Sequence, residues 1–307
     1  MMTQRIAVAS RDCPVCETPS ASAQIFMEKN VDPRNLSAAS YASRKEPEFM
    51  CHRLVRCETC DLVYVDQPPS ASTLATAYHD ASYDSEDEAA DAAEIYFQSM
   101  RSTLMRLRQR EDALEIGAGS GAFLKQLADS GFTRVTGIEP SVAAISAAPA
   151  AVRPWLRQGI FIEADYPPAS FDLICCFMTL EHVPDPKIIA SACCALLRPG
   201  GVFVTVTHDY RSVVNRILGR RSPIIDIEHM QLFSGRSIRE LFERTGFSNV
   251  TVAPFANRYA LKYWLRLTPL PRALKQSVAA LLAALGLDRK KLAVNVGNVI
   301  ATGIKPG

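Results

Sequence analysis

An α/β fold with a doubly wound, mostly parallel sheet is the architecture this sequence predicts, on three observations. From Asp112 onward, strand-like apolar runs alternate with helical stretches. The first run, Asp112-Ala113-Leu114-Glu115-Ile116, passes through Gly117-Ala118-Gly119-Ser120-Gly121 into Ala122-Phe123-Leu124, which reads as a buried strand, a glycine turn and the start of a helix. A later run, Phe171 to Phe177, is apolar nearly throughout, as a strand covered on both faces should be.

The chain of 307 residues, 48% of them hydrophobic, is long enough for one large domain and a smaller one. Its formal charge of +2 gives no general reason to bind nucleic acid or anionic lipid. Met1 to Ser10 has no apolar run long enough for a signal peptide, and the longest apolar stretch, Val278 to Leu285, falls well short of a membrane span. A cytoplasmic location is expected, where the nine cysteines stay reduced and are read for metal or packing before disulfides.

In chain order, Cys13-Pro14-Val15-Cys16 is answered by Cys57-Glu58-Thr59-Cys60. Two such pairs can supply four thiolates to one structural zinc, a closed set with no open position for substrate. The distance between them exceeds the usual ribbon spacing, so Cys51 and His52 stand as spare ligands. Ser20 to Phe49 reads as loop, Leu62 to Val65 as a short strand, and Ser72 to Tyr83 as a short helix with an aromatic turn. The acidic run Asp84 to Asp91 reads as a solvated face or connector, and Ala92 to Arg110 as a helix.

The sheet then takes shape. Strand Ala113 to Ile116 leads to helix Ala122 to Asp129, closed by Gly131. Strands follow at Arg134 to Ile138, Gly159 to Glu163 and Phe171 to Phe177. Asp185 and Pro186 open a helix to about Leu197. Arg198-Pro199-Gly200-Gly201 ends it before strand Val202 to Thr207; helix Ile238 to Thr245, strand Val250 to Ala253 and a closing strand within Leu292 to Ile304 complete the order. Tyr259 to Leu267 and Arg272 to Leu285 read as amphipathic helices inserted before that last strand. They would cover a pocket, form a dimer surface or touch a membrane surface. The resulting organisation is residues 1–69, a zinc-binding module; 70–110, a helical connector; 111–255, the main sheet; and 256–307, a helical cap and closing strand.

Glycines at 117, 119 and 121 let backbone approach a ligand closely, and the helix behind them offers free N–H groups. The spacing fits both the dinucleotide fingerprint and the Glu-x-Gly-x-Gly-x-Gly of methyltransferases. Glu139, at the end of the second strand, can accept from both ribose hydroxyls, a role that nicotinamide and S-adenosylmethionine sites share.

Glu115, the stretch from Phe171-Asp172-Leu173-Ile174 to Leu180-Glu181-His182-Val183-Pro184-Asp185-Pro186, and Leu196-Leu197-Arg198-Pro199-Gly200-Gly201 together resemble the class I S-adenosylmethionine-dependent methyltransferases over roughly Asp112 to Ala253. The resemblance implies a Rossmann-like sheet of seven strands with the last antiparallel. It implies that Gly117, Ala118, Gly119 and Gly121 face the methionine end of the cofactor and that Glu115 lies near its ammonium or fixes the turn. It also implies an adenine contact from Asp165, and Met178 and Thr179 lining the pocket. Cys-Pro-x-Cys with Leu54 to Val65 and the turn Tyr78 to Tyr83 resembles the zinc-binding N-terminal region of bacterial methyltransferases of sugar, polysaccharide and natural-product pathways. The implied acceptor is a small molecule, such as a nucleotide-linked or lipid-linked sugar. The rivals are a ribosomal RNA base methyltransferase, a nicotinamide-dependent oxidoreductase and a catalytically idle sugar-binding or scaffold protein. Against RNA, acidic residues at least match basic ones in the first seventy positions.

Methylation of a hydroxyl or carbon acid requires removal of a proton. His182, just after the fourth strand, and His229, in Asp226-Ile227-Glu228-His229, are the candidate bases, with His208 and Asp209 behind them. Cys175-Cys176 and Cys193-Cys194 read as small core residues.

Overall fold

The computed structural model of the protein describes residues 11–43 and 45–307. The reading of Met1 to Ser10 lies outside them. The chain opens with β1 (Gln24–Met27), β2 (Leu54–Arg56) and β3 (Val63–Val65), followed by helices α1 (Ala71–His79), α2 (Glu86–Ser99) and α3 (Arg101–Arg106). The acidic run is a solvated face, with Asp84, Glu86 and Asp87 exposed, and not a connector. Glu86, Asp87 and Glu88 form the first turn of α2, where the helix dipole favours negative charge. The single helix expected over Ala92 to Arg110 is divided at Met100, a fully buried side chain.

The main sheet is built from β4 (Asp112–Ile116), α4 (Ala122–Asp129), β5 (Arg134–Glu139), α5 (Val142–Ala147), β6 (Leu156–Gln158), β7 (Phe171–Phe177), α6 (Pro186–Leu196) and β8 (Leu197–His208). Then come α7 (Val213–Leu218), β9 (Gln231–Leu232), α8 (Gly235–Arg244), β10 (Ser248–Pro254), β11 (Asn257–Ala260), α9 (Leu261–Leu267), α10 (Arg272–Ala284), β12 (Lys291–Val294) and β13 (Asn298–Ile304). Seven strands lie in the order β10-β13-β8-β7-β4-β5-β6. The last strand in sequence, β13, runs antiparallel to both neighbours, and β4 pairs in parallel with β5 and β7. After β4 the chain winds outward to β5 and β6, then returns to β7 on the other side. The crevice beyond the ends of β4 and β7 is therefore the switch point where such sheets bind ligands.

Three strand boundaries are corrected. The third strand is Leu156–Gln158, because Gly159, at φ +140°, ends the extended run where Gly159 to Glu163 was expected to begin it. The fifth includes Arg198 to Gly201, with a register shift opposite Phe171 and Leu173. The closing stretch divides into β12, which pairs with β11, and β13. Gly297, at φ +95° between them, passes so close to α7 that a Cβ would lie 2.4 Å from the Ser212 hydroxyl.

Residue 69 is not a packing boundary. The first sheet runs β1-β2-β3-β9, so its last strand comes from residues 231–232. Cys13, Cys60, Leu62 and Tyr64 share one core with Ile174, Leu180, Phe203 and Phe233 of the main sheet region. Asp61 accepts hydrogen bonds from the Tyr210 hydroxyl at 2.7 Å and the Arg211 guanidinium at 2.5 Å. Cys175, Cys176 and Cys193 are fully buried core residues, as read from sequence. No helix of the described residues is long and apolar enough to cross a membrane.

Candidate active site

The glycine turn stands at the end of β4, held by the Gly117 and Ala118 amides on the Ile138 carbonyl at 2.9 and 3.0 Å. Gly117, Gly119 and Gly121 all have left-handed φ. Their reasons differ. A Cβ at Gly117 would strike the Thr179 hydroxyl at 2.1 Å, whereas one at Gly119 would meet nothing within 4 Å. Gly117 therefore lets the β7 loop close in, and Gly119 leaves its side of the turn open to a ligand.

Glu139, the last residue of β5, is buried and accepts the Gly119 amide on Oε2 and the Ser141 amide on Oε1, each at 2.8 Å. Burial raises its pKa, and these two amides oppose that rise. A carboxylate has about four lone-pair positions, so both oxygens keep capacity for ribose-type hydroxyls. Ser120 is held by the Tyr83 hydroxyl at 2.9 Å, which places the aromatic turn of the N-terminal region over the glycines.

One cavity of about 650 Å³ takes in Glu115, Gly117, Ala118, Gly119, Glu139, Met178 and Thr179. Gly121 stands just behind, at the N-cap of α4. Asp165 is a correction. It lies exposed in a surface turn at Glu163–Asp165 outside the cavity, whose wall is instead Gly159, Ile160 and Phe161. The early end of β6 is the cause, because the chain has already crossed the cavity before it reaches Asp165.

The far end of the same cavity holds His182, His208, His229, Glu181 and Glu228. These residues come together because the Met230 amide bonds the Glu181 carbonyl at 2.7 Å, while the buried Gln231 side chain donates to the carbonyls of Leu180 and Val183. Glu181 has no solvent exposure. Its Oε1 meets His208 Nδ1 at 2.7 Å and its Oε2 accepts the His208 amide at 3.0 Å. Burial alone would raise the Glu181 pKa; His208, with His229 and His182, overrides burial and holds it down to about 2. Burial lowers the pKa of His182 and His229, favouring neutral imidazoles. Asp209 lies outside the cavity and accepts the Arg211 amide at 2.8 Å. The central role of Glu181 escapes sequence reading, although its place beside His182 is the available signal. Tyr78, read from sequence only as the start of an aromatic turn, places its hydroxyl 3.0 Å from His182 Nδ1.

The four cysteines of the paired motifs are buried, and one sulfur from each lies within 4.8 Å of the others. Cys13 and Cys60 sulfurs are 3.5 Å apart and those of Cys16 and Cys57 3.4 Å. The two knuckles match. The Glu17 amide closes on the Cys13 carbonyl at 2.9 Å and the Asp61 amide on that of Cys57 at 3.0 Å, with Glu17 and Asp61 both left-handed. Sulfurs about 2.3 Å from a tetrahedral zinc would stand roughly 3.8 Å apart, so this set fits that ion. Cys51 and His52 are not in it; Cys51 packs in a separate core with Leu54 and Val63.

The family model described as methyltransferase domain matches residues 90–252. A ubiquinone biosynthesis O-methyltransferase of Idiomarina loihiensis is 37% identical over 123 residues, 38% of this chain and 48% of that protein. A Mycolicibacterium smegmatis protein named as a probable S-adenosylmethionine-dependent methyltransferase is 32% identical over 159 residues, 50% of this chain and 59% of that protein. The chain thus spans about half the length of the curated relatives it matches. The crystal structure of an Archaeoglobus fulgidus SAM-dependent methyltransferase aligns at 15% identity and a TM-score of 0.49, covering 69% of this chain and 94% of that one.

Proposed function

The chain belongs to the methyltransferase domain family, and from that premise we propose that it methylates a small-molecule acceptor using S-adenosylmethionine. The observation that carries this reading is a single cavity with Glu139 and the glycine turn at one end and the Glu181–His208 pair at the other. Bound S-adenosylmethionine supplies an electrophilic methyl group on a sulfonium. Glu139 would hold the ribose hydroxyls, and the open face at Gly119 the methionine end; the family match supports this cofactor over a nicotinamide.

The acceptor's proton falls to a histidine. His208 donates a hydrogen bond from Nδ1–H to the Glu181 carboxylate, so Nε2 keeps the lone pair of a general base, and the buried carboxylate stabilises the imidazolium that forms. His182 and His229, the bases read from sequence, flank this pair. Four paired cysteines fit a structural zinc that would brace the first sheet against the main core.

For the acceptor, the N-terminal resemblance and the carboxylate-rich end support a polyhydroxy compound such as a nucleotide-linked sugar. The aromatic wall of Tyr259, Tyr263 and Trp264 favours a second reading, an apolar ring hydroxyl, in line with the names of the ubiquinone biosynthesis relatives. A screen of nucleotide sugars and phenols, read by S-adenosylhomocysteine release, tests both; turnover of neither class rejects these acceptor assignments.

A further inference from the structure

Three histidines at the acceptor end each place Nδ1 against an oxygen. His229 Nδ1 lies 2.8 Å from the Ile224 carbonyl, which can only accept, so the proton is on Nδ1 and Nε2 is bare. His182 Nδ1 lies 3.0 Å from the Tyr78 hydroxyl, which also reaches the Glu228 carbonyl at 3.4 Å; in the tautomer with the proton on Nδ1, His182 Nε2 is free for a ligand. His208 Nδ1 donates to Glu181. His229 is 6% exposed, and its Nε2 makes no hydrogen bond among the described residues. It faces Glu181 Oε1 at 3.7 Å, two acceptor atoms turned toward one gap.

We propose that this gap is a divalent-metal site, with Glu181, His182 and His229 as its ligands. One ligand atom from each lies within 4.8 Å of the others. Donors about 2.0 to 2.2 Å from one ion stand roughly 3 to 4 Å apart, so the 3.7 Å gap already suits the pair. The surrounding hydrogen bonds are those that metal ligands use: each ligating imidazole donates its other N–H to an oxygen, and the carboxylate is itself fixed, here by His208. Two imidazoles and a carboxylate select a borderline first-row ion, such as zinc, iron or cobalt, and leave positions open for an acceptor oxygen. Such an ion acidifies a bound hydroxyl, whose O–H bond breaks as its proton forms the N–H bond at His208 Nε2. That role rests on the methyltransferase reading; the binding of the ion does not.

The test is metal analysis of the purified protein followed by titration with Co²⁺, read by calorimetry and visible absorption. The expected result is one metal equivalent beyond that on the thiols, giving weak d–d bands without the intense sulfur charge-transfer band of cobalt on cysteine. His229→Gln and His182→Gln should weaken this second equivalent about tenfold or more, and Tyr78→Phe should weaken it in the same direction. Circular dichroism verifies that the variants are folded, and His182, whose side chain is 17% exposed, gives the milder substitution. Absence of a second equivalent in wild type, or wild-type affinity in both folded histidine variants, overturns the site. Neither cofactor nor acceptor is present, so this outcome is separate from that of the acceptor screen.

Discussion

Glu139 Oε2 accepts the Gly119 amide at 2.8 Å, so one buried carboxylate both fastens the glycine turn and borders the cavity where a ribose would sit. A hydrogen bond to a charged group is worth about 1.5 to 3 kcal/mol, and Glu139→Ala should weaken S-adenosylmethionine binding by roughly tenfold to more than a hundredfold. Calorimetry on the folded variant measures this. Unchanged affinity would mean that the ribose lies elsewhere.

The Glu181–His208 contact gives a different signature. His208→Ala should lower turnover by about a hundredfold to ten-thousandfold, the usual range for a general base, while cofactor affinity stays within a few fold. His208 lies at the end of β8 and takes no part in the hydrogen bonds from the Gly119 and Ser141 amides that hold Glu139. Equal losses in binding and turnover would instead make it a structural residue.

Because the cysteine cluster shares a core with the main sheet, metal loss should unfold more than the first sheet. Cys57→Ser should abolish the zinc binding proposed for the thiols and lower the melting temperature of the whole chain in one transition. Differential scanning calorimetry and metal analysis measure both. A variant that keeps its melting temperature would detach the cluster from global stability.

The glycine turn, Glu139 and both C-x-x-C pairs were legible because their chemistry is local: a turn needs glycines in sequence, and a knuckle needs two cysteines three apart. What escaped depended on contacts between distant segments. Gln231 anchors the loop that carries Glu181 and His182, and β9 completes a sheet begun two hundred residues earlier; neither leaves a pattern in its neighbours. Asp165 went astray because the whole third-strand assignment was displaced past Gly159.

Glu228 gives the site a stability signature with a definite sign. Burial, with Asp226 adding to it, pushes its pKa up to about 8, while Lys45 and His229 oppose the rise. Between the unfolded value of 4.5 and the native value of about 8, the native state holds a proton that the unfolded chain has released, so stability falls as pH rises through that window. His182 and His229 act oppositely, since their lowered native values cost stability only as pH drops below about 6.5. Above about pH 7 those imidazoles are largely neutral in both states, and Glu228 contributes a falling slope of at most about 1.4 kcal/mol per pH unit. Glu228→Gln keeps the volume and removes the titration. Its melting temperature should decline less steeply than wild type between about pH 7 and pH 8. Parallel slopes for the two proteins would show that Glu228 is already ionised in the native state, with Lys45 neutralising it.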